Sequence, residues 1–167
     1  MRANFTGALS AAIHAFKYDR QTRLAEPLGM LLVEGLADSF WPVDLVTAVP
    51  LHAARQQERG YNQAALLGQV LAQDQGWAFD EAAILRTRET PSQVHLNAQE
   101  RRVNVADAFT ARPEVVRGKS VLLVDDVLTT GATMSECARA LRAAGAGQVW
   151  GVTVAGAAGS GPDMQNM

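Results

Sequence analysis

Four consecutive apolar residues, Val121-Leu122-Leu123-Val124, stand between Ser120 and an acidic pair, Asp125-Asp126. An unbroken apolar run of this length predicts a strand covered on both faces, as in a parallel sheet. Segments 44–49, 83–88, 107–111 and 149–154 predict four further strands, with 83–88 and 107–111 as an antiparallel pair. Elsewhere the apolar period lengthens to that of a helix. Met134, Cys137, Ala138 and Leu141 make one such face, and Ala64, Leu67, Val70 and Leu71 make another that ends near Gly76. Leu9, Ala12, Ile13 and Phe16 predict a helix over 4–16. Leu24, Leu28, Leu31 and Leu32 predict a second over 24–37, with Pro27 suited to its first turn. Between these two, Phe16-Lys17-Tyr18-Asp19 reads as a polar helix–helix turn with an exposed aromatic. Strand–loop–helix units that recur in this way predict an α/β fold, whose ligands lie at the carboxyl ends of the strands.

The chemistry sits at two such ends. After 121–124 come Asp125 and Asp126, then Thr129, Thr130, Gly131, Ala132 and Thr133, which lead into a helix. A helix N-terminus offers unpaired N–H groups and a positive dipole end, so it suits a phosphate. Gly131 lets the backbone approach that phosphate closely. The two carboxylates can accept from sugar hydroxyls or help hold a hydrated divalent metal. The set describes a phosphorylated ribose with a metal-bound diphosphate. The second end is the loop after 44–49, which carries His52, Arg55, Arg59, Asn62 and Gln63, groups able to meet a diphosphate.

Composition narrows the picture. The 167 residues suit one domain with room for a small subdomain, and neither an internal repeat nor a second core is visible. Apolar residues are 48% and charged residues 19%, so a core can be buried. A net charge of −2 advertises no nucleic-acid surface of the whole molecule. The single cysteine, Cys137, lies on an apolar helix face and rules out an internal disulfide and a cysteine-based zinc site. With no signal peptide and no apolar run long enough for a bilayer, the expected location is the cytoplasm.

The connection between 88 and 107 is long for a compact domain, which predicts a flexible lid. It holds Thr90-Pro91-Ser92-Gln93 and His95, then a short helix from Asn97 through Val105 with Arg101 and Arg102 in it. Arginines on a lid would bring positive charge to a leaving diphosphate. Gly118-Lys119-Ser120 imitates the end of a P-loop but precedes a strand and lacks the upstream glycine.

Three blocks together resemble the ComF family of competence-associated, type I phosphoribosyltransferase-like proteins. The first is residues 12–19 with Leu24-Ala25-Glu26-Pro27-Leu28-Gly29. The second is Val49-Pro50-Leu51-His52, Arg55 and Arg59-Gly60-Tyr61-Asn62-Gln63. The third is 90–93, Arg101-Arg102, Asn104 and 124–133. The resemblance implies a central parallel sheet flanked by helices, with an N-terminal helical hood over 1–43, a core over 44–154 and a mobile tail over 155–167. It implies Asp125 and Asp126 at the ribose hydroxyls of phosphoribosyl pyrophosphate (PRPP), with Mg²⁺ held indirectly through them. Thr129 through Thr133 would cradle the 5′-phosphate, Leu51 and His52 would meet the diphosphate, and Arg101 and Arg102 would act from the lid. Two departures stand out: the cysteine-rich zinc segment of many members is missing, so no zinc is expected, and Thr129 replaces the acid common in purine-salvage enzymes.

Three functions fit these residues. The resemblance implies a PRPP- or ribose-phosphate-binding protein that handles single-stranded DNA beside other competence proteins during natural transformation. Arg55, Arg59, Arg86 and Arg88 are then the candidate strand contacts. An active phosphoribosyltransferase with an unknown acceptor is the second, and a plain nucleotide-binding module the third.

Overall fold

The computed structural model describes residues 3–4, 7–37, 40–88 and 98–156. In chain order its strands are β1 (Ala3–Asn4), β2 (Leu45–Ala48), β3 (Ala78–Phe79), β4 (Ile84–Arg86), β5 (Phe109–Ala111), β6 (Ser120–Leu128) and β7 (Gln148–Gly156). Its α-helices are α1 (Ala8–Tyr18), α2 (Ala25–Leu36), α3 (Ala53–Arg59), α4 (Gln63–Gln75), α5 (Ala98–Val105), α6 (Pro113–Val116) and α7 (Ala132–Ala143). Five strands form one parallel sheet in the order β1-β7-β6-β2-β3, while β4 and β5 pair antiparallel beside it. The α/β class and all five expected strands are therefore present.

β6 lies at the centre of the sheet, and Val121 through Val124 are fully buried. Alternation along the strand divides its side chains between two cores. Val121 and Leu123 join Leu45, Val116, Cys137 and Leu141 on the side of α7. Leu122 and Val124 join Val46, Ile13, Phe16, Leu32, Leu67 and Leu71 on the side of α1, α2 and α4. Cys137 is a core residue, and burial pushes its thiol well above the usual range.

Several boundaries differ from the sequence expectation. α1 starts at Ala8, after Gly7 at φ 61°, and the residues before it give a short strand against β7. At its other end α1 runs through Tyr18, so Phe16, Lys17 and Tyr18 are helical, and the reversal comes at Arg20, φ 52°. Phe16 is wholly buried, which holds that last turn to the core. β6 and β7 continue past their expected ends because Asp125, Val127 and Leu128 pair with Thr153, Ala155 and Gly156. α3 occupies what read as loop, and β3 is too short to leave a periodic signal. Residues 157–167, most of the expected tail, lie outside the described residues.

α2 and α4 pack closely where Gly29 faces Val70. A Cβ on Gly29 would stand 2.6 Å from Val70 Cγ1 and 2.7 Å from Val70 Cβ. Alanine at a helix interior gains about 1 kcal/mol of propensity over glycine. The overlap reaches the rigid base of a β-branched side chain, so the helices must separate, at about 1–3 kcal/mol. Gly29→Ala is therefore expected to destabilise by about 1 kcal/mol net, read as a lower urea midpoint at unchanged m-value. A raised midpoint would show that the two helices can slide apart freely.

Candidate functional site

Because consecutive strand residues point to opposite faces, Asp126 turns toward the α1 side and Asp125 toward the α7 side. Asp126 is buried, and its Oδ2 lies 2.9 Å from Lys17 Nζ at the end of α1. Asp125 is partly buried, and its Oδ1 accepts the Asp126 N–H at 2.8 Å. Burial first, and the neighbouring Asp126 charge second, raise the Asp125 carboxyl from its ordinary 3.8 to about 7. Lys17 and the backbone N–H of Asp126 offset only part of this.

Beyond the acids the chain turns into α7. Gly131 is the N-cap, at φ 76°, a left-handed conformation that favours glycine. The Ala132 N–H points to Thr130 Oγ1 at 3.5 Å, a long contact. Asp125, Thr129, Thr130, Gly131, Ala132 and Thr133 surround a recess of about 30 Å³, room for one small group. Asp125, Thr129 and Thr133 also line a larger cleft of about 990 Å³. Five basic residues line that cleft, Lys17, Arg20, Arg55, Arg59 and Arg86, against three acidic ones, Glu58, Asp125 and Asp126. The cleft is thus net positive in a chain of net charge −2.

The segment from 49 to 63 forms the opposite wall, and its polar residues have several jobs. Val49, Pro50, Leu51, Arg55 and Arg59 line the cleft. His52 is the N-cap of α3, with Nδ1 accepting from the Ala54 N–H at 3.4 Å. Gly60 ends α3 at φ 84°. The Tyr61 hydroxyl donates to the Phe16 carbonyl and so ties this wall to α1. Asn62 caps α4 through the Ala64 N–H at 3.1 Å and donates to the Val49 carbonyl at 3.1 Å. Arg59 Nη1 donates to Gln63 Oε1 at 3.1 Å. The amides of Asn62 and Gln63, which in the sequence could meet a diphosphate, instead hold the turn between α3 and α4.

Residues 29–166 match the model of the phosphoribosyl transferase domain. The chain belongs to that family. Among curated relatives, the DNA utilization protein YhgH of Salmonella typhimurium is 38% identical over 156 residues, covering 89% of this chain and 68% of that protein. Competence protein F of Haemophilus influenzae is 35% identical over 153 residues, covering 86% and 67%. The ComF resemblance read from the three blocks is thereby borne out. In fold, the chain is similar to the glutamine PRPP amidotransferase of Bacillus subtilis, with a TM-score of 0.54 and 22% identity. That match covers 78% of this chain and spans only 26% of the amidotransferase.

Within this phosphoribosyl transferase domain the structure brings Asp125, Asp126, Thr129, Thr133, Leu51, Arg55, Arg59 and Arg86 to one cleft, with Thr130, Gly131 and Ala132 in the adjoining recess. His52 and Arg88 are not among the cleft-lining residues. Arg88 Nη2 donates to the carbonyls of Asn104 and Ala106, at 3.1 and 2.7 Å, and so secures the end of α5. Asp107, just beyond, receives Arg139 at 2.5 Å and donates its N–H to Glu136 at 2.7 Å, which fastens the same end to α7. Arg101 and Arg102 lie on the α5 backbone, while their side chains and residues 89–97, the expected lid with Thr90, His95 and Asn97, lie outside the described residues. Sequence reasoning missed Lys17, Tyr18 and Arg20 as cleft residues. The available signal was that Lys17 and Tyr18 fall inside the first resemblance block.

The raised Asp125 carboxyl makes a stability prediction. Between about pH 4 and pH 7 the unfolded chain releases a proton that the folded chain keeps, so stability falls as pH rises through that window. Asp125→Asn retains the acceptor for the Asp126 N–H and removes the titration. Relative to the parent it should gain about 2–4 kcal/mol at pH 8 and little at pH 4, since each tenfold change in proton affinity is worth about 1.4 kcal/mol. Urea unfolding at both pH values measures it; a gain independent of pH would show that Asp125 ionises as freely folded as unfolded.

Proposed function

We propose that this protein binds PRPP or a related ribose 5-phosphate ligand and uses that binding in DNA uptake during natural transformation. The observation that carries the first half is a net-positive cleft that Asp125 and Asp126 line, with a left-handed Gly131 turn beside it. The 5′-phosphate would enter the recess made by Thr129 through Thr133, and the ribose hydroxyls would donate to Asp125 and Asp126. Leu51, Arg55 and the cleft arginines would face the diphosphate, with Arg101 and Arg102 closing over it. The names of the relatives, DNA utilization protein and competence protein, support the second half.

Mg²⁺ fits this site in an indirect sense. Among the described residues no three His, Cys, Asp or Glu side chains converge on one point. Two adjacent carboxylates with ligand oxygens and water are the usual surroundings of this ion, and the upward-shifted Asp125 marks a place short of positive charge. When bound there the ion would supply neutralisation of the diphosphate. The chain's own residues orient the sugar, hold the phosphate and enclose the diphosphate.

A second reading, transfer of the phosphoribosyl group to an acceptor, is favoured by one observation. At about 990 Å³ the cleft lies at the upper end of small-molecule sites and leaves room for a second reactant. In that reaction the bond between C1 and the diphosphate oxygen breaks, the diphosphate leaves with the electron pair, and the acceptor's lone pair forms the new bond to C1. Threonine at 129 supplies no carboxylate to take a proton from a purine acceptor.

The discriminating experiment titrates ribose 5-phosphate and PRPP, with and without Mg²⁺, into the parent, Gly131→Val, and Asp125→Asn with Asp126→Asn. Valine at φ 76° strains the turn and places a branched side chain where the phosphate would sit, so Gly131→Val should weaken both ligands at least about 100-fold. The double asparagine variant should keep ribose 5-phosphate and lose the Mg²⁺-dependent part of PRPP binding. Thermal melts confirm folding. A folded Gly131→Val protein that still binds ribose 5-phosphate would sink the cradle, and release of diphosphate from PRPP with a nucleobase panel would decide for transfer.

A further inference from the structure

Among the described residues that line the cleft, Lys17 is the single lysine beside four arginines, and it is the one that meets the acid pair. The chain has only two lysines, Lys17 and Lys119, among its 15 basic residues. Arginine's planar fork suits a two-point hold on a phosphate, whereas the lysine ammonium is a compact point charge. A compact positive charge beside a carboxylate is also what a bound metal ion supplies.

The packing of α1 holds that ammonium in place. Lys17 Nζ lies 2.9 Å from Asp126 Oδ2, and the two side chains are only 24% and 11% exposed, so solvent ions screen the pair less than a surface pair. Ile13 and Phe16 are buried one turn and one residue before it. The Tyr61 hydroxyl takes the Phe16 carbonyl, and Arg20 Nη2 donates to the Glu58 carbonyl at 3.2 Å. These contacts already seat the helix, and a shielded ion pair repays its desolvation only in part. Seating α1 is therefore a poor account of why a charge stands there. The ammonium also acts on the second acid: burial and the Asp126 charge raise the Asp125 carboxyl, and Lys17 draws it back in part.

We infer that Lys17 is the resident counter-ion of the acid pair, holding the cation's place beside Asp126 while no metal is bound, so that Lys17 and a divalent ion exclude one another there. Two positive charges at one carboxylate repel each other strongly when water is kept away. The acids then stay partly neutralised at low Mg²⁺, and a phosphoribosyl diphosphate that arrives without metal still meets a positive charge. This consequence for PRPP rests on the reading proposed above; the exclusion itself does not.

The test needs no turnover. Mn²⁺ alone is titrated into the parent, Lys17→Met, Lys17→Arg, and Lys17→Met with Asp126→Asn, with free ion read by paramagnetic resonance. Lys17→Met should bind Mn²⁺ about 5- to 150-fold more tightly than the parent, the span of ordinary coupling between two sites. Lys17→Arg keeps the charge and should behave as the parent does, and the double variant should lose the gain. Thermal melts confirm folding, since Lys17→Met leaves Asp126 without its partner.

A measurement on the parent stands beside these. With two lysines in the chain, Lys119 serves as the internal standard for acylation of Lys17, read by peptide mass spectrometry. Lys17 should label faster, relative to Lys119, in Mg²⁺ than in sodium chloride of equal ionic strength. In PRPP titrations, Lys17→Met should lose affinity without Mg²⁺ and keep it with Mg²⁺. If PRPP does not bind the parent at all, the proposed function falls and the ion measurements alone judge the counter-ion. A folded Lys17→Met protein that binds Mn²⁺ no more tightly than the parent overturns it. Should that variant not fold, labelling of Lys17 that Mg²⁺ leaves unchanged does the same.

Discussion

Two carboxylates on consecutive residues of β6, directly after the stretch buried on both faces, are a costly arrangement, and much of the site is built around that cost. Burial and the neighbouring Asp126 charge disfavour the ionised form of Asp125. Asp125 shows the result directly, with its carboxyl raised to about 7. Compensation comes from different directions: the Lys17 ammonium reaches Asp126 from α1, and the first turn of α7 presents its positive end beyond Gly131. Both leave the acids short of full neutralisation, which is the condition a hydroxyl-rich or cation-bearing ligand relieves. Such tension between stability and readiness to bind is common where a site is kept under strain.

The same cost explains why α1 sits where it does. Lys17 can reach Asp126 only if the last turn of α1 lies over the carboxyl end of β6. Three contacts set that position: Phe16 buried in the core, its carbonyl taken by the Tyr61 hydroxyl, and Arg20 bonded to the end of α3. The close approach of α2 to α4 at Gly29 seats the helix pair from below. The conspicuous run from Arg59 to Gln63 is therefore largely a hinge pin between α1, α3 and α4. Of its side chains, Asn62 and Gln63 are buried, and Arg59 lines the cleft.

The chain is a phosphoribosyl transferase domain whose relatives are named for DNA utilization and competence. Its cleft joins a small recess, an acid pair and a wall rich in arginine.

Local pattern was enough for the parallel α/β class, the central position of 121–124, the Gly131 turn and the acid pair. These follow from an apolar run, a change of period and a run of small residues, all readable within a dozen positions. β1 and β3 were not legible, since two residues carry no period, and the extended ends of β6 and β7 depend on each other's register. The contacts of Lys17 with Asp126 and of Tyr18 with Arg59 were also out of reach. In sequence, Lys17 is a lysine at the end of a helix, 109 positions from Asp126, and Tyr18 an exposed ring 41 positions from Arg59. Only the packing of α1 across the sheet brings each pair together, and long-range electrostatics and ring contacts leave no trace in local periodicity. The residues alone determined a sheet with an acid pair and a glycine turn; the tertiary structure decided which side chains surround them, because that depends on distances the chain sets only once it is folded.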